Sequence, residues 1–182
     1  MYTNDEQYTF DNFIVSKSNQ LAYEVLKKES LSSETVYSPL LYIYGDTAVG
    51  KTHLLKAFGN NVSTWSNEVL YTTLEDFMNE FTENIESQTM DRFRSKYREC
   101  DLLIVDNMQD IWDKEQFQEE FYYTISELIA AGKKVVLAGT RSPYRQEGLI
   151  SDLAYYLSGA MVIKIDRPDD NMKQTLVKES ER

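Results

Sequence analysis

Five short apolar runs punctuate the chain: Leu40 to Tyr44, Val69 to Thr72, Leu102 to Asp106, Val135 to Gly139 and Met161 to Ile165. Each is continuous rather than alternating. That is the pattern of strands covered on both faces, as in a parallel sheet. Between the runs the apolar period lengthens to three and four. Phe77, Phe81 and Ile85 fall on one helical face, and Phe117, Phe121, Ile125, Leu128 and Ile129 mark one face of a longer helix. Thr73 with Asp76 reads as a capping pair for the first helix. Asp113 with Gln116 reads as one for the second, and Gly132 as its end. Strands alternating with helices predict an α/β fold, a three-layer sandwich around a five-stranded parallel sheet. The first nine residues are polar and read as frayed. Arg167-Pro168-Asp169-Asp170 is a break, and Met172 to Lys178 reads as one last helix.

The first strand runs into Gly45-Asp46-Thr47-Ala48-Val49-Gly50-Lys51-Thr52-His53, and a helical pattern follows. A Gly-x-x-x-x-Gly-Lys-Thr loop between strand and helix is built to hold a polyphosphate. The glycines let successive N–H groups point at phosphate oxygens, Lys51 adds a positive charge, and the Thr52 hydroxyl suits Mg²⁺. The bland alternative is a glycine turn joining a strand to a helix. A second motif argues against it: Asp101-Leu102-Leu103-Ile104-Val105-Asp106 ends a buried run in an acid, and Asp106 suits the same metal. The next position is Asn107, whose amide orients water but cannot take its proton. General-base help is worth roughly 10²–10⁴ in rate, so nucleotide binding is expected to survive this residue better than hydrolysis does. The chain accordingly divides into a P-loop nucleotide domain over residues 1–166 and a short remainder over 167–182.

Charge limits the partners. Nineteen Lys and Arg stand against 30 Asp and Glu, a net −11, so the average surface repels nucleic acid. One local exception is the cluster Arg92, Arg94, Lys96 and Arg98, a candidate contact for single-stranded DNA. Its alternative reading is an amphipathic helix with a solvated basic side, Phe93 and Tyr97 lying on the neighbouring face. The single Cys100 precludes an internal disulfide and reads as a packed thiol in a reducing compartment. His53 is the only histidine, which excludes a His-rich metal site. No run is long enough to span a membrane, and a cytoplasmic location is expected.

Several segments together resemble the AAA+ ATPase domain of the bacterial replication initiator DnaA family and its short, Hda-like relatives. They are Tyr8 to Val15 with Ser18 to Tyr23, the loop Tyr42 to Leu55, Glu75 to Phe81, Phe93 to Arg98, and Asp101 to Asp106 with Gln109 and the helix from Lys114. The resemblance runs from about Tyr8 to Pro168. It implies an opening box, here with Phe13 and Ile14, that lies against the adenine. It also implies an inserted helix pair at about residues 74–98, ATP or ADP with Mg²⁺ as ligands, and a polar sensor at Thr140. A replication protein is the implied partner: an initiator, a helicase loader or a clamp.

The departures are specific. Asp46 and Ala48 replace glycines usual in the family's loop, and Asn107 replaces its second acid. The stretch Asp152 to Ser158 lacks the arginine that reaches a neighbouring subunit's nucleotide. The lid is expected to amount to about one helix, and assembly through the AAA+ interface is not expected. Three other readings compete: the core of an active initiation ATPase, a scaffold without nucleotide, and a P-loop enzyme of another class. No Asn-Lys-x-Asp guanine reader occurs, which disfavours a GTPase.

Overall fold

In the computed structural model of the protein, which describes residues 5, 7–108, 114–145 and 147–168, the five apolar runs are the five strands. They are β1 (Leu40–Tyr44), β2 (Val69–Thr73), β3 (Leu102–Asp106), β4 (Lys134–Gly139) and β5 (Met161–Lys164). All pairings are parallel, in the order β2-β3-β4-β1-β5. Helices α1 (Gln20–Glu29) and α2 (Lys51–Val62) cover one face. The other carries α3 (Leu74–Glu86), α4 (Met90–Arg98), α5 (Glu115–Ala130) and α6 (Ser151–Ser158). Alternate strand residues feed the two cores. Leu41, Ile43, Ile104 and Val136 pack under α1 and α2, while Tyr42, Leu103, Val105 and Leu137 pack under the opposite helices.

The signals read for α3 and for the end of α5 act as expected. The Asp76 amide donates to Thr73 Oγ1 at 3.1 Å, capping α3. Gly132 (φ +74°) ends α5, its N–H donating to the Ile129 carbonyl and that of Lys133 to the Leu128 carbonyl. This is the paired arrangement that suits a left-handed residue after a helix. Three expectations need correction. The residue preceding α5 is Lys114, which makes no side-chain cap, and Asp113 lies outside the described residues. Ile85 is exposed, because the buried face of α3 is made by Leu74, Phe77 and Phe81. The start of the chain is not frayed throughout: Asn60 Nδ2 donates to the carbonyls of Asp5 (2.8 Å) and Tyr8 (2.6 Å). The expected helix over Met172 to Lys178 lies outside the described residues. Cys100 is buried as read, and burial pushes its thiol up to about 12.

At the amino-terminal end of the central strand β4, away from the loop, Lys134 and Glu29 form a buried pair that no periodicity announces. Lys134 Nζ donates to Glu29 Oε2 (3.0 Å) and to the carbonyls of Glu29 (2.7 Å), Ser32 (2.9 Å) and Glu34 (2.9 Å). Glu29 Oε1 accepts from the amides of Val36, Tyr37 and Ser38. The end of α1, the connection to β1 and the first residue of β4 are thereby fastened at one point.

Candidate nucleotide-binding site

Chain direction changes sides between β1 and β4. The connection from β1 enters α2 on one face, and that from β4 leads to α6 on the other. Ligand crevices in parallel sheets open at such a point, beyond the carboxyl ends of the strands. Gly45 and Thr140 lie there together, and the Gly45 amide donates to the Gly139 carbonyl at 3.2 Å. Thr140, half-buried, follows at once on the same rim.

The loop's backbone is specialised. Gly50 has φ +95° and Ala48 φ +64°, both left-handed. A Cβ on Gly45 would lie 2.3 Å from the Ile165 carbonyl oxygen, so only glycine fits beneath the segment that follows β5. Ala48 bears strain that glycine would not, about 1–2 kcal/mol for a left-handed alanine. Glycine adds back roughly 0.4–1 kcal/mol of unfolded-chain freedom. Ala48→Gly is therefore expected to raise stability by about 1 kcal/mol, read as a higher urea midpoint at unchanged slope. An unchanged or lower midpoint would mean the loop carries no such strain.

Lys51 is buried at the start of α2, and its Nζ donates to the carbonyls of Gly45 and Asp46, each at 2.7 Å. Burial pulls its ammonium below the usual lysine range, and the carboxylates of Asp106 and Asp46 oppose that. Thr52 Oγ1 donates to Asp106 Oδ2 at 2.6 Å, which brings together the two sequence-predicted metal ligands from elements 54 residues apart. Asp106 itself is buried, and its other oxygen accepts from the Asn107 amide at 2.8 Å. Asn107 is exposed with φ +59°, a conformation asparagine tolerates. Tyr71 was not singled out in the sequence. From β2, its hydroxyl donates to Asp106 Oδ2 at 3.0 Å. Only the parallel register of β2 on β3 shows that it reaches the acid.

The opening box lies over the start of α2. Phe13 stands 5.1 Å and Tyr8 5.2 Å, ring to ring, from His53. The His53 Nε2 lies 2.9 Å from the Thr9 carbonyl, which can only accept, so that nitrogen carries the hydrogen. Phe13 also closes on Gly50, where a Cβ would sit 2.9 Å from its ring. Ile14 is half-buried, and its carbonyl accepts from Asn19 Nδ2 at 3.0 Å. Thr47 is exposed and Val49 buried. The Asp46 carboxylate is paired with Arg167 Nε at 2.5 Å, and that guanidinium holds it below the usual carboxylate range.

The basic cluster on α4 is not the open patch its composition suggests. Arg94 and Arg98 both pair with Glu120 of α5, Arg98 also with Glu127, and Lys96 pairs with Glu80 of α3. Arg92 is exposed on the same helix. Phe93 and Tyr97 are buried against Phe77, as the amphipathic reading expects.

The chain matches the bacterial DnaA ATPase domain over residues 4–164. It is 41% identical over 170 residues to the chromosomal replication initiator protein DnaA of Aliarcobacter butzleri, covering 93% of this chain and 39% of that one. It superposes with TM-score 0.90 and 33% identity on a replication initiator DnaA bound to AMPPCP and single-stranded DNA, covering 97% of this chain and 55% of that one. For domain III of the replication initiation protein DnaA from Thermotoga maritima the TM-score is 0.89 at 31% identity, over 98% of this chain and 75% of the other. The chain thus spans about two fifths of the length of the curated initiator it matches. By fold, loop and sequence together, this chain belongs to the bacterial DnaA ATPase domain family.

Proposed function

We propose that this domain binds ATP or ADP with Mg²⁺ and serves replication initiation or its regulation, with slow or absent hydrolysis. The observation that carries this reading is the convergence of the Thr52 hydroxyl and the Asp106 carboxylate, 2.6 Å apart, beside the buried Lys51. A hydroxyl and a carboxylate are hard oxygen donors of the kind Mg²⁺ takes, with phosphate oxygens and water completing its shell. Such an ion would neutralise phosphate charge. Lys51 and the amides at the start of α2 grip the same groups, and Thr140 faces them from the neighbouring strand end. The box at Phe13 and Ile14 supplies an apolar wall for the base, supported by the AMPPCP held by a structural relative.

Turnover is limited by Asn107, which cannot accept a proton from water, and by the absence of arginine between Asp152 and Ser158. Action through a replication protein partner fits this chemistry better than action through catalysis. Single-stranded DNA is a weaker proposal here. A relative binds it, yet three of the four α4 cations are neutralised by Glu80, Glu120 and Glu127.

A nucleotide titration tests the reading. At a hundredfold excess over Kd, ATP with Mg²⁺ should stabilise the fold by about 2.7 kcal/mol. Each kcal/mol moves the melting point roughly 2–4 °C at this size. Lys51→Ala should remove the shift, and a melting curve unmoved by saturating ATP in the unaltered protein would reject the reading in favour of an empty scaffold.

A further inference from the structure

Asp46 presents a problem that the nucleotide reading alone leaves open, since it puts a carboxylate in the second position of a loop meant to receive a polyanion. The fold answers it with a residue 121 positions away. After β5 the chain is strapped across the root of the loop. The Ile165 amide donates to the Tyr44 carbonyl (2.7 Å) and that of Asp166 to the Ser18 carbonyl (3.1 Å). The strap passes so close to Gly45 that no Cβ fits between them. Its next residue, Arg167, pairs through Nε with Asp46 Oδ2 at 2.5 Å.

Two other cations stand near this carboxylate, and both are engaged elsewhere. Lys51 donates to the loop carbonyls, and Lys164 pairs with Asp166 at 2.5 Å. Both members of the Asp46–Arg167 pair are largely exposed, so it adds little to folding. Its consequence lies in the field over the loop, because an uncompensated carboxylate repels an arriving phosphate chain across a few ångströms.

We propose that Arg167 is a positioning residue for nucleotide binding, holding the Asp46 carboxylate against the strap and offsetting its charge so that the amide cradle accepts a polyphosphate. This rests on the nucleotide reading above.

The test is a double-mutant cycle on the full chain, reading the Kd for ATP with Mg²⁺ by calorimetry in the unaltered protein, Arg167→Ala, Asp46→Asn and the double variant. Arg167→Ala is expected to weaken binding roughly three- to tenfold at low salt, and the loss should shrink at about 0.5 M salt, where screening is short-ranged. Asp46→Asn should bind at least as tightly as the unaltered protein. In that background removal of Arg167 should change Kd by less than about twofold, because no carboxylate is left to offset. Equal losses in both backgrounds would show Arg167 acting on the nucleotide itself and overturn the proposal. No loss in either would overturn it too. If the unaltered protein binds no nucleotide, the proposal and the reading beneath it fall together, whereas binding without coupling removes the proposal alone.

Discussion

Lys134→Met is expected to destabilise the fold by about 3–5 kcal/mol, the cost of leaving a buried charge unpaired. That approaches half of the ~5–15 kcal/mol that holds a domain together. It should lower the melting point by roughly 2–4 °C per kcal/mol. The size follows from what the buried ammonium serves, namely three carbonyls and the buried Glu29 carboxylate. An ordinary buried ion pair can often be replaced by two apolar residues at no loss. Here Glu29→Leu with Lys134→Met should not recover stability, because backbone amides at Val36, Tyr37 and Ser38 would lose their acceptor as well. Recovery in that double variant would show the charge pair, and not the backbone it bridges, to be the important part.

The same site predicts an acid limb. Burial pushes the Glu29 carboxyl upward, but the amides of Tyr37 and Val36 and the Lys134 ammonium outweigh it and hold it below the usual glutamate range. A carboxyl whose folded pKa is depressed contributes stability that is present above its unfolded value and lost as pH falls through the folded one. Stability measured by urea unfolding should therefore fall as pH drops below about 4.3, and less steeply in Glu29→Gln.

Asn107→Asp is expected to raise ATP turnover by about 10²-fold or more, from a rate barely above background. The exchange is nearly isosteric. The backbone at φ +59° tolerates aspartate as well as asparagine, and the N–H bond to Asp106 is made by the main chain and survives. The new carboxylate adds what the amide lacks, an acceptor for the proton of an attacking water. Phosphate release measured on both proteins decides it. Unchanged turnover in a folded Asn107→Asp would place the limit elsewhere. Brisk turnover in the unaltered protein, abolished by Asp106→Ala, would refute slow hydrolysis altogether.

The strands were legible because both faces of a parallel sheet are apolar, and five such runs stand out of a chain rich in charge. The loop and Asp106 were legible because their chemistry is written in consecutive residues. What escaped were pairings across the fold that no motif announces. Tyr71 reaches Asp106 through strand register, Lys134 meets Glu29 across 105 residues, and Arg167 meets Asp46 across 121. The basic segment on α4 shows the same limit from the other side. Its four cations were plain, while the glutamates that answer them lie on α3 and α5. Helix α1 carries no such announcement either, for no capping residue bonds its start, and the sequence marks only its first residues, through the resembling segment Ser18 to Tyr23.

The aromatic rings beneath α3 and α4 bear on how this domain could speak to another molecule. Phe77, Phe81, Phe93, Tyr97, Phe117 and Phe121 interlock edge to face, and the same apolar mass takes in Met108, two places beyond Asp106. The outer side of these helices and the strand end that carries Asp106 are therefore mounted on a common chassis. A visitor that tilts α4 would press on the same packed rings that reach Met108, two places from Asp106.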